Sequence, residues 1–283
     1  MNVKIAGVRR GNRFSPNSVG NDTVIFNLTV EHLRKKGCEV TEYSEDEFLQ
    51  TTMEADMIFN MARDMKSLRK LQRLEDAGVK VVNSGYGIEN CTREKMTRLL
   101  LAHDIPHPKS VIVRTDEQLP QGVEWLANSC WIKRGDVHAI YSEDVTYVQV
   151  GEEAGQILQN FASRGIPSAV INEHLEGDLI KFYGVEGTDF FQWMYPDRLN
   201  HSKFGLEAVN GDVAGYSFDL ELLKEYCSRV AHILNIHIYG GDGVVDKNGK
   251  VRIIDFNDWP SFAVCRNEAA PAITGCIIEN LLS

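Results

Sequence analysis

The chain has 283 residues, 43% of them apolar, so it is not a disordered chain and holds two domains, or three small ones sharing a cleft. A formal charge of −10 and an isoelectric point near 5.3 argue against nucleic acid as the main ligand, since a phosphate backbone requires a basic surface. A single nucleotide held by a few lysines and a metal is still compatible with that balance.

The first residues, MNVKIAGVRRGNRF, contain no sustained apolar segment, so no signal peptide is expected, and residues 3–8 read as a short apolar strand. Asp22 then caps a helix with Phe26, Val30 and Leu33 on one face, and Gly37 ends it. Strands at 39–43 and 56–60, a helix at 64–77 with Leu68, Leu71 and Leu74, and a strand at 79–82 complete a small open α/β sheet. A helix over 92–103 begins at Thr92, and Ile105-Pro106-His107-Pro108 breaks the chain. A second unit follows: strands near 109–113, 130–133 and 145–149, a helix at 152–164 and a strand at 168–174. The last third starts with strands near 178–185 and 189–194 and a polar loop at 196–217. A helix at 219–234, strands at 238–245 and 250–257, and a helix at 269–282 end the pattern. No run is long enough to span a membrane. Cys38, Cys91, Cys130, Cys227, Cys265 and Cys276 form neither C-x-x-C nor a zinc spacing, so free thiols in a reducing, cytoplasmic compartment are expected.

The chemistry concentrates in the last two strands. Asp246-Lys-Asn248-Gly249 between them reads as a hairpin turn. Asp242 lies on the first strand, while Asp255 and Asn257 lie two residues apart on the second and share a face. Three hard oxygen ligands on one patch suit Mg²⁺ with phosphate oxygens and water. Asp255 interrupts the apolar run Val251-Arg-Ile-Ile-Asp-Phe, and a carboxylate there needs a metal or an arginine as partner.

Four other features accompany the hairpin. Lys133 ends an apolar strand before a glycine-containing turn, which suits phosphate but also an ordinary surface charge. Residues 170–178 read as a strand, a short polar linker and a second strand. The linker offers backbone groups to an adenine edge and an acid to a ribose, or it is a plain turn. Lys181 and Asp178 on the next strand could reach the same nucleotide, or simply face solvent. Lys95 sits in the first turn of a helix, a position more usual for a solvated lysine.

Together, in this order, these features resemble the ATP-grasp superfamily. The resemblance covers about residues 80–262, and the preceding α/β unit matches the extra N-terminal domain such enzymes carry. Asn83-Ser84 leading into the helix with Lys95, then Asp104-Ile105-Pro106-His107-Pro108, is similar to glutathione-synthetase-like and D-alanine–D-alanine-ligase-like members. Asp242, Asp255, Asn257 and Pro260 match D…(x12)…[ED]-x-N-x-x-P. The resemblance implies an α/β (α+β) chain with an open N-terminal domain at 1–86, a lid subdomain with its linker helix at 87–177 and a metal-bearing subdomain at 178–283. It implies ATP with one or two Mg²⁺, Mn²⁺ being a substitute. Lys95 and Lys133 would contact phosphates, and Glu173, His174 and Leu175 would form the adenine hinge. Asp178 or Glu176 would hold the ribose, and Lys181 would lie near the phosphates or an acyl phosphate, so that Lys133 and Lys181 are the candidate catalytic residues. Asp242, Asp255 and Asn257 would bind the metal.

Two departures stand out. Asp255 is one methylene shorter than the family's usual Glu. The glycine-rich lid shrinks to Arg134-Gly135-Asp136-Val137-His138-Ala139, where Arg134 and His138 are on hand to compensate. The implied activity joins a carboxylate to an amine through an acyl phosphate, with small-molecule or peptide substrates and neither nucleic acid nor membrane as partner. Alternatives are a small-molecule kinase of the inositol-phosphate-kinase kind, with Arg9, Arg10, Arg13 and Arg63 as its basic cluster, and a non-catalytic nucleotide-binding module. Candidate substrate contacts are Arg13, Arg63, Ser84 and Arg266, each also readable as a structural residue. A homo-oligomer is common in the family and is not readable from the sequence.

Overall fold

A computed structural model describes residues 3–15, 18–137, 141–149, 153–196, 209 and 211–283. The chain opens with β1 (Lys4–Val8), α1 (Val19–Lys35), β2 (Glu39–Tyr43), α2 (Glu45–Gln50), β3 (Met57–Asn60), α3 (Met65–Asp76) and β4 (Lys80–Val82). Two helices follow, α4 (Gly85–Asn90) and α5 (Arg93–Ala102). The middle elements are β5 (Ser110–Arg114), β6 (Cys130–Arg134), β7 (Val145–Val148), α6 (Ala154–Ser163) and β8 (Ser168–Glu173). The last are β9 (Asp178–Val185), β10 (Phe191–Met194), α7 (Leu220–Leu234), β11 (Ile238–Val245), β12 (Val251–Asp258) and α8 (Arg266–Leu282).

Three four-stranded sheets result among the described residues. The first, β2-β1-β3-β4, is parallel throughout. Alternation along β1 sends Ile5 into one core and Ala6 and Val8 into another, as a sheet covered on both faces requires. The second, β5-β8-β6-β7, and the third, β10-β9-β11-β12, are antiparallel.

Two short helices were not expected from the sequence. Ser44 and Glu47 form a reciprocal capping box that starts α2, and Ser84 caps α4 by accepting from Tyr86 and Gly87. α1 begins at Val19, so Asp22 lies inside the helix rather than at its cap. α8 likewise starts before the expected 269, and Pro271 lies within it.

Both cores of the first sheet are shared with the third. One joins Ala6, Ile58 and Leu68 to Phe182, Phe256 and the α7 residues Leu223, Cys227 and Val230. The other joins Ile5, Phe26 and Phe59 to Val185, Trp259, Phe262 and the α8 residues Ile273 and Ile277. The second sheet has its own core, made with α6 through Ile132, Ile171, Leu158 and Phe161.

Polar groups close the seam between the first and third sheets. Asp258, at the end of β12, is fully buried. Arg10 donates to its Oδ2 at 3.3 Å and Arg63 to its Oδ1 at 2.9 Å. Arg10 also reaches Asp22 Oδ2 at 3.1 Å and the Trp259 carbonyl at 2.9 Å. Asn83, after β4, behaves like a strand partner to β11. Its Oδ1 accepts from Ile238 N at 2.8 Å and its Nδ2 donates to Ile238 O at 2.7 Å. Below them, the buried Glu45 carboxylate accepts from Gly11 N at 2.8 Å and Asp64 N at 2.8 Å, which ties the loops after β1 and β3 together. Burial raises its pKa in spite of those bonds.

Removing the carboxylate leaves the buried Arg63 guanidinium without its ion pair and Arg10 with Asp22 alone. Asp258→Ala should therefore cost about 3–5 kcal/mol of stability. Urea unfolding would show this as a lower midpoint at unchanged slope. A loss below about 1 kcal/mol would mean that the pairs are no stronger than surface ones.

Candidate active site

The site-bearing hairpin forms for the local reasons read in the sequence. Asp246 Oδ1 accepts from Asn248 N at 2.8 Å and Lys250 N at 3.1 Å, and Gly249 takes φ +79°. Antiparallel register then sets Lys181, Asp242 and Asp255 directly opposite one another across β9, β11 and β12. Residues opposed in this way project from the same face. The next row is Tyr183, Gly240 and Asn257. A Cβ on Gly240 would stand 2.7 Å from the Tyr183 ring and 2.8 Å from Pro260, so only glycine fits between them. A register shift between Asp242 and Gly243 adds a residue to β12 just before Asp255, a device that re-aims side chains beside functional sites.

Cations meet this row from three elements. Lys181 donates to Asp242 Oδ1 at 2.9 Å. Arg93, the first residue of α5, donates to Asp255 Oδ2 at 3.3 Å. Lys133 comes from β6, where Cys130 and Ile132 enter the core with α6 while Trp131 and Lys133 alternate to the opposite face. Burial and the Arg93 charge pull the Lys133 ammonium down to about 7, against the smaller opposing effect of Asp255 and Asp242. His107 completes the group: its Nδ1 lies 2.7 Å from the Ile253 carbonyl, and burial lowers its pKa to about 4.

The other residues singled out from the sequence fall in varied places. Lys95 is half exposed and pairs with Glu89 at 2.5 Å, away from the charged row. Successive helical residues point about 100° apart, so α5 cannot aim positions 93 and 95 the same way. Arg93 is the one on the buried stripe with Met96, Thr97 and Leu100. That spacing of i, i+3, i+4 and i+7 is the signal that the sequence carried for it.

At the end of β8, Glu173 N donates to Lys109 O at 2.9 Å and His174 N to Ser129 O at 3.2 Å. Both amides are thus occupied within the protein. The His174 ring accepts from Trp131 Nε1 at 3.1 Å, and Tyr147 stacks edge-on beside it. Asp178 is 3% exposed and accepts from Ala214 N at 2.7 Å and Tyr216 N at 2.8 Å. It therefore anchors a loop, while Glu176 stays exposed. Arg134 is spent on Asp136 and Asp144. His138 and Ala139 lie outside the described residues.

Among the substrate candidates, Arg63 is committed to Asp258. Ser84 donates to Glu75 Oε2 at 2.6 Å while capping α4. Arg13 is largely exposed beside Asp64, and Arg266 bonds the Ser261 carbonyl and Asn21. These four are not brought to the row of Lys181, Asp242 and Asp255.

The donor set fits a magnesium ion served by a nucleotide. Among the described residues, no three His, Cys, Asp or Glu side chains stand close enough to hold a metal unaided. Asp242 and Asp255 with the Asn257 amide make an incomplete shell of hard oxygens, and Mg²⁺ commonly takes one or two carboxylates and completes its shell with phosphate and water.

The whole architecture has solved counterparts. D-Alanine–D-alanine ligase from Bacillus anthracis, complexed with ATP, superposes at TM-score 0.72, with 14% identity over 99% of this chain and 97% of its own. The chain has the ATP-grasp fold. D-Alanyl-alanine synthetase A from Vibrio cholerae matches at TM-score 0.71 and 12% identity over 100% of this chain and 99% of its own. The VanG D-Ala:D-Ser ligase of Enterococcus faecalis matches at 0.69 and 12% over 99% and 100%. No protein-family model matches the sequence, and no curated protein matches it significantly. No helix among the described residues is long and apolar enough to cross a membrane.

The buried Lys133 has a pH signature. Its folded value is about 7 against 10.5 ordinarily, so between these the unfolded chain holds the extra proton. Stability then rises with pH across the window, and the burial penalty is complete below it. Lys133→Met removes that penalty. Its stability advantage over the parent, measured by urea unfolding without nucleotide, should be largest below pH 7 and shrink towards 10.5. An advantage that does not vary with pH would refute the buried lysine.

Proposed function

We propose that the chain is an ATP- and Mg²⁺-dependent ligase that joins a carboxylate to an amine. The observation that carries this reading is the row of Lys181, Asp242 and Asp255, met by Arg93 and Lys133, on an ATP-grasp frame. Three cations against two carboxylates leave an excess of positive charge at one partly buried spot. A polyphosphate is the ligand such an excess suits.

In this reading Arg93, Lys133 and Lys181 bind the phosphates, and the Leu175 segment meets the base. Asp242, Asp255 and Asn257 would hold Mg²⁺, which neutralises charge on the transferred phosphoryl group when bound. The substrate carboxylate attacks the γ-phosphate and gives an acyl phosphate and ADP. The amine then displaces phosphate and forms the amide. The cations bring two anionic reactants together and stabilise the charge that builds on transfer. No enzyme nucleophile is needed. Acyl phosphates hydrolyse, so the site must exclude water during the reaction.

The kinase alternative loses its basic cluster. Arg10 and Arg63 are paired with Asp258, Arg9 with Glu42 and Arg13 with Asp64. A polyphosphorylated acceptor would have to break the buried pairs of Arg10 and Arg63 with Asp258 to use them together. A non-catalytic nucleotide binder would have no use for Lys181 beside the metal-ligand set. The proposed setting is the cytoplasm.

Turnover of ATP with pooled amino acids and short peptides should release ADP and phosphate only when an amine is present, with a new amide mass. A stable phosphorylated product would favour the kinase instead. The residues separate by variant. Arg93→Ala should raise the KM for ATP about tenfold or more, as the loss of a charge-assisted phosphate contact does. Lys95→Ala should change it by less than about twofold, as an exposed pair does. Lys133→Met should lower kcat about 100-fold or more. Equal effects at 93 and 95 would overturn the assignment of Arg93.

A further inference from the structure

Asp242 and Asp255 stand directly opposite each other in the register of β11 and β12. Side chains so placed leave the sheet about 5 Å apart on one face, and like charges there repel. Something positive has to stand beside them, and each has a protein cation of its own. Lys181, opposite Asp242 on β9, donates to Asp242 Oδ1 at 2.9 Å. Arg93 donates to Asp255 Oδ2 at 3.3 Å. The two carboxylates that suit a divalent metal are therefore the two that side chains already neutralise.

These arrangements compete. A divalent ion on both carboxylates would stand close to the Lys181 ammonium and the Arg93 guanidinium, and charges of one sign repel strongly at such range away from bulk water. The geometry of the pairs favours release. Arg93 is 8% exposed, yet it holds Asp255 by one bond at the long end of the usual range. A guanidinium and a carboxylate ordinarily meet through two. Its Nε is buried with no acceptor, and a buried donor without a partner is costly. Arg93 thus has a bond to gain from an anion that Asp255 does not give it. Lys181 is less constrained, being partly exposed on a flexible stem.

We infer that Lys181 and Arg93 are exchangeable counter-ions: they hold the place of the metal at Asp242 and Asp255, and they turn to an anion when the metal takes those carboxylates. Metal and anion then load together, each strengthening the other by the same factor. That the anion is the phosphate of a nucleotide rests on the proposed ATP-dependent function. The competition between metal and side chains for the two carboxylates does not.

Mn²⁺ binding without nucleotide tests the competition, the unbound ion being counted by its EPR signal. The parent should bind Mn²⁺ weakly. Lys181→Met combined with Arg93→Met bares both carboxylates and should tighten binding about tenfold or more, and Asp242→Asn added to that pair should abolish the gain. Lys181→Met alone should show part of the gain, and it carries the test if the double variant does not fold. Equal affinities in parent and variants, or a gain that survives Asp242→Asn, overturn the inference. Sulfate tests the exchange, since it offers the cations an anion and has little affinity for Mn²⁺ itself. At constant ionic strength it should tighten Mn²⁺ binding to the parent about fivefold or more, and to the double variant by less than about twofold. No effect on the parent, or the same effect on both, overturns the exchange. Calorimetry with Mg–AMP-PNP decides the function separately. A parent that binds none overturns the ATP-dependent reading, and the Mn²⁺ affinities still decide the counter-ions.

Discussion

Asp258 carries a charge that water cannot reach, and two loops from the other side of the molecule supply its compensation. Arg10 follows β1 and Arg63 follows β3, so one carboxylate fixes both loops against the end of β12. Loss of Asp258 would strand the Arg63 charge and leave Arg10 with Asp22 alone, so both loops depend on that one carboxylate. Asn83 repeats the logic with neutral groups, lending its amide to the backbone of Ile238 where β11 begins. The two strands of the site-bearing hairpin are thus gripped at adjacent ends by residues of the first sheet. Register carries that rigidity inward to Asp255, Asn257 and Asp242.

The same need for compensation shapes the site itself. An acidic chain with formal charge −10 gathers Arg93, Lys133 and Lys181 around two carboxylates. Burial makes each cation expensive, and Lys133 answers by giving up part of its charge near neutrality. An incoming anion reverses that concession, because a negative charge close by favours the protonated form. Ligand and lysine therefore charge the site together, and the cleft is most positive only once there is something negative in it.

Most elements were legible because their signals are local. The turn at Asp246 needs its own side chain and a glycine, the helix α3 needs Asp64 and an apolar stripe, and the alternation of β6 follows from the backbone of neighbouring residues alone. The short helix α2 was not expected, because six residues carry too little periodicity to set beside the capping signal of Ser44 and Glu47. The side-chain partners that the sequence did not reveal have a common cause. Lys95 and Arg93 share a helix turn, and choosing between them required knowing which face of α5 meets Asp255. Arg63 and Asp178 have the chemistry of ligand contacts, but their partners, Asp258 and the amides of Ala214 and Tyr216, are distant in sequence. His107 reads as punctuation between two prolines, and only β12 beside it shows that its ring is held.

The sharing of cores sets the order in which the protein can be completed as it is made. The face of the first sheet that holds Ile5, Phe26 and Phe59 is closed by Trp259, Phe262 and α8, which leave the ribosome after all the other described elements. Its other face waits for Phe256 and α7. The middle sheet and α6, with a core of their own, have all their parts as soon as β8 emerges. The nascent chain therefore carries a finished middle flanked by a beginning whose apolar faces stay uncovered until the end arrives. Through that interval the earliest strands are the surface a chaperone would have to shield.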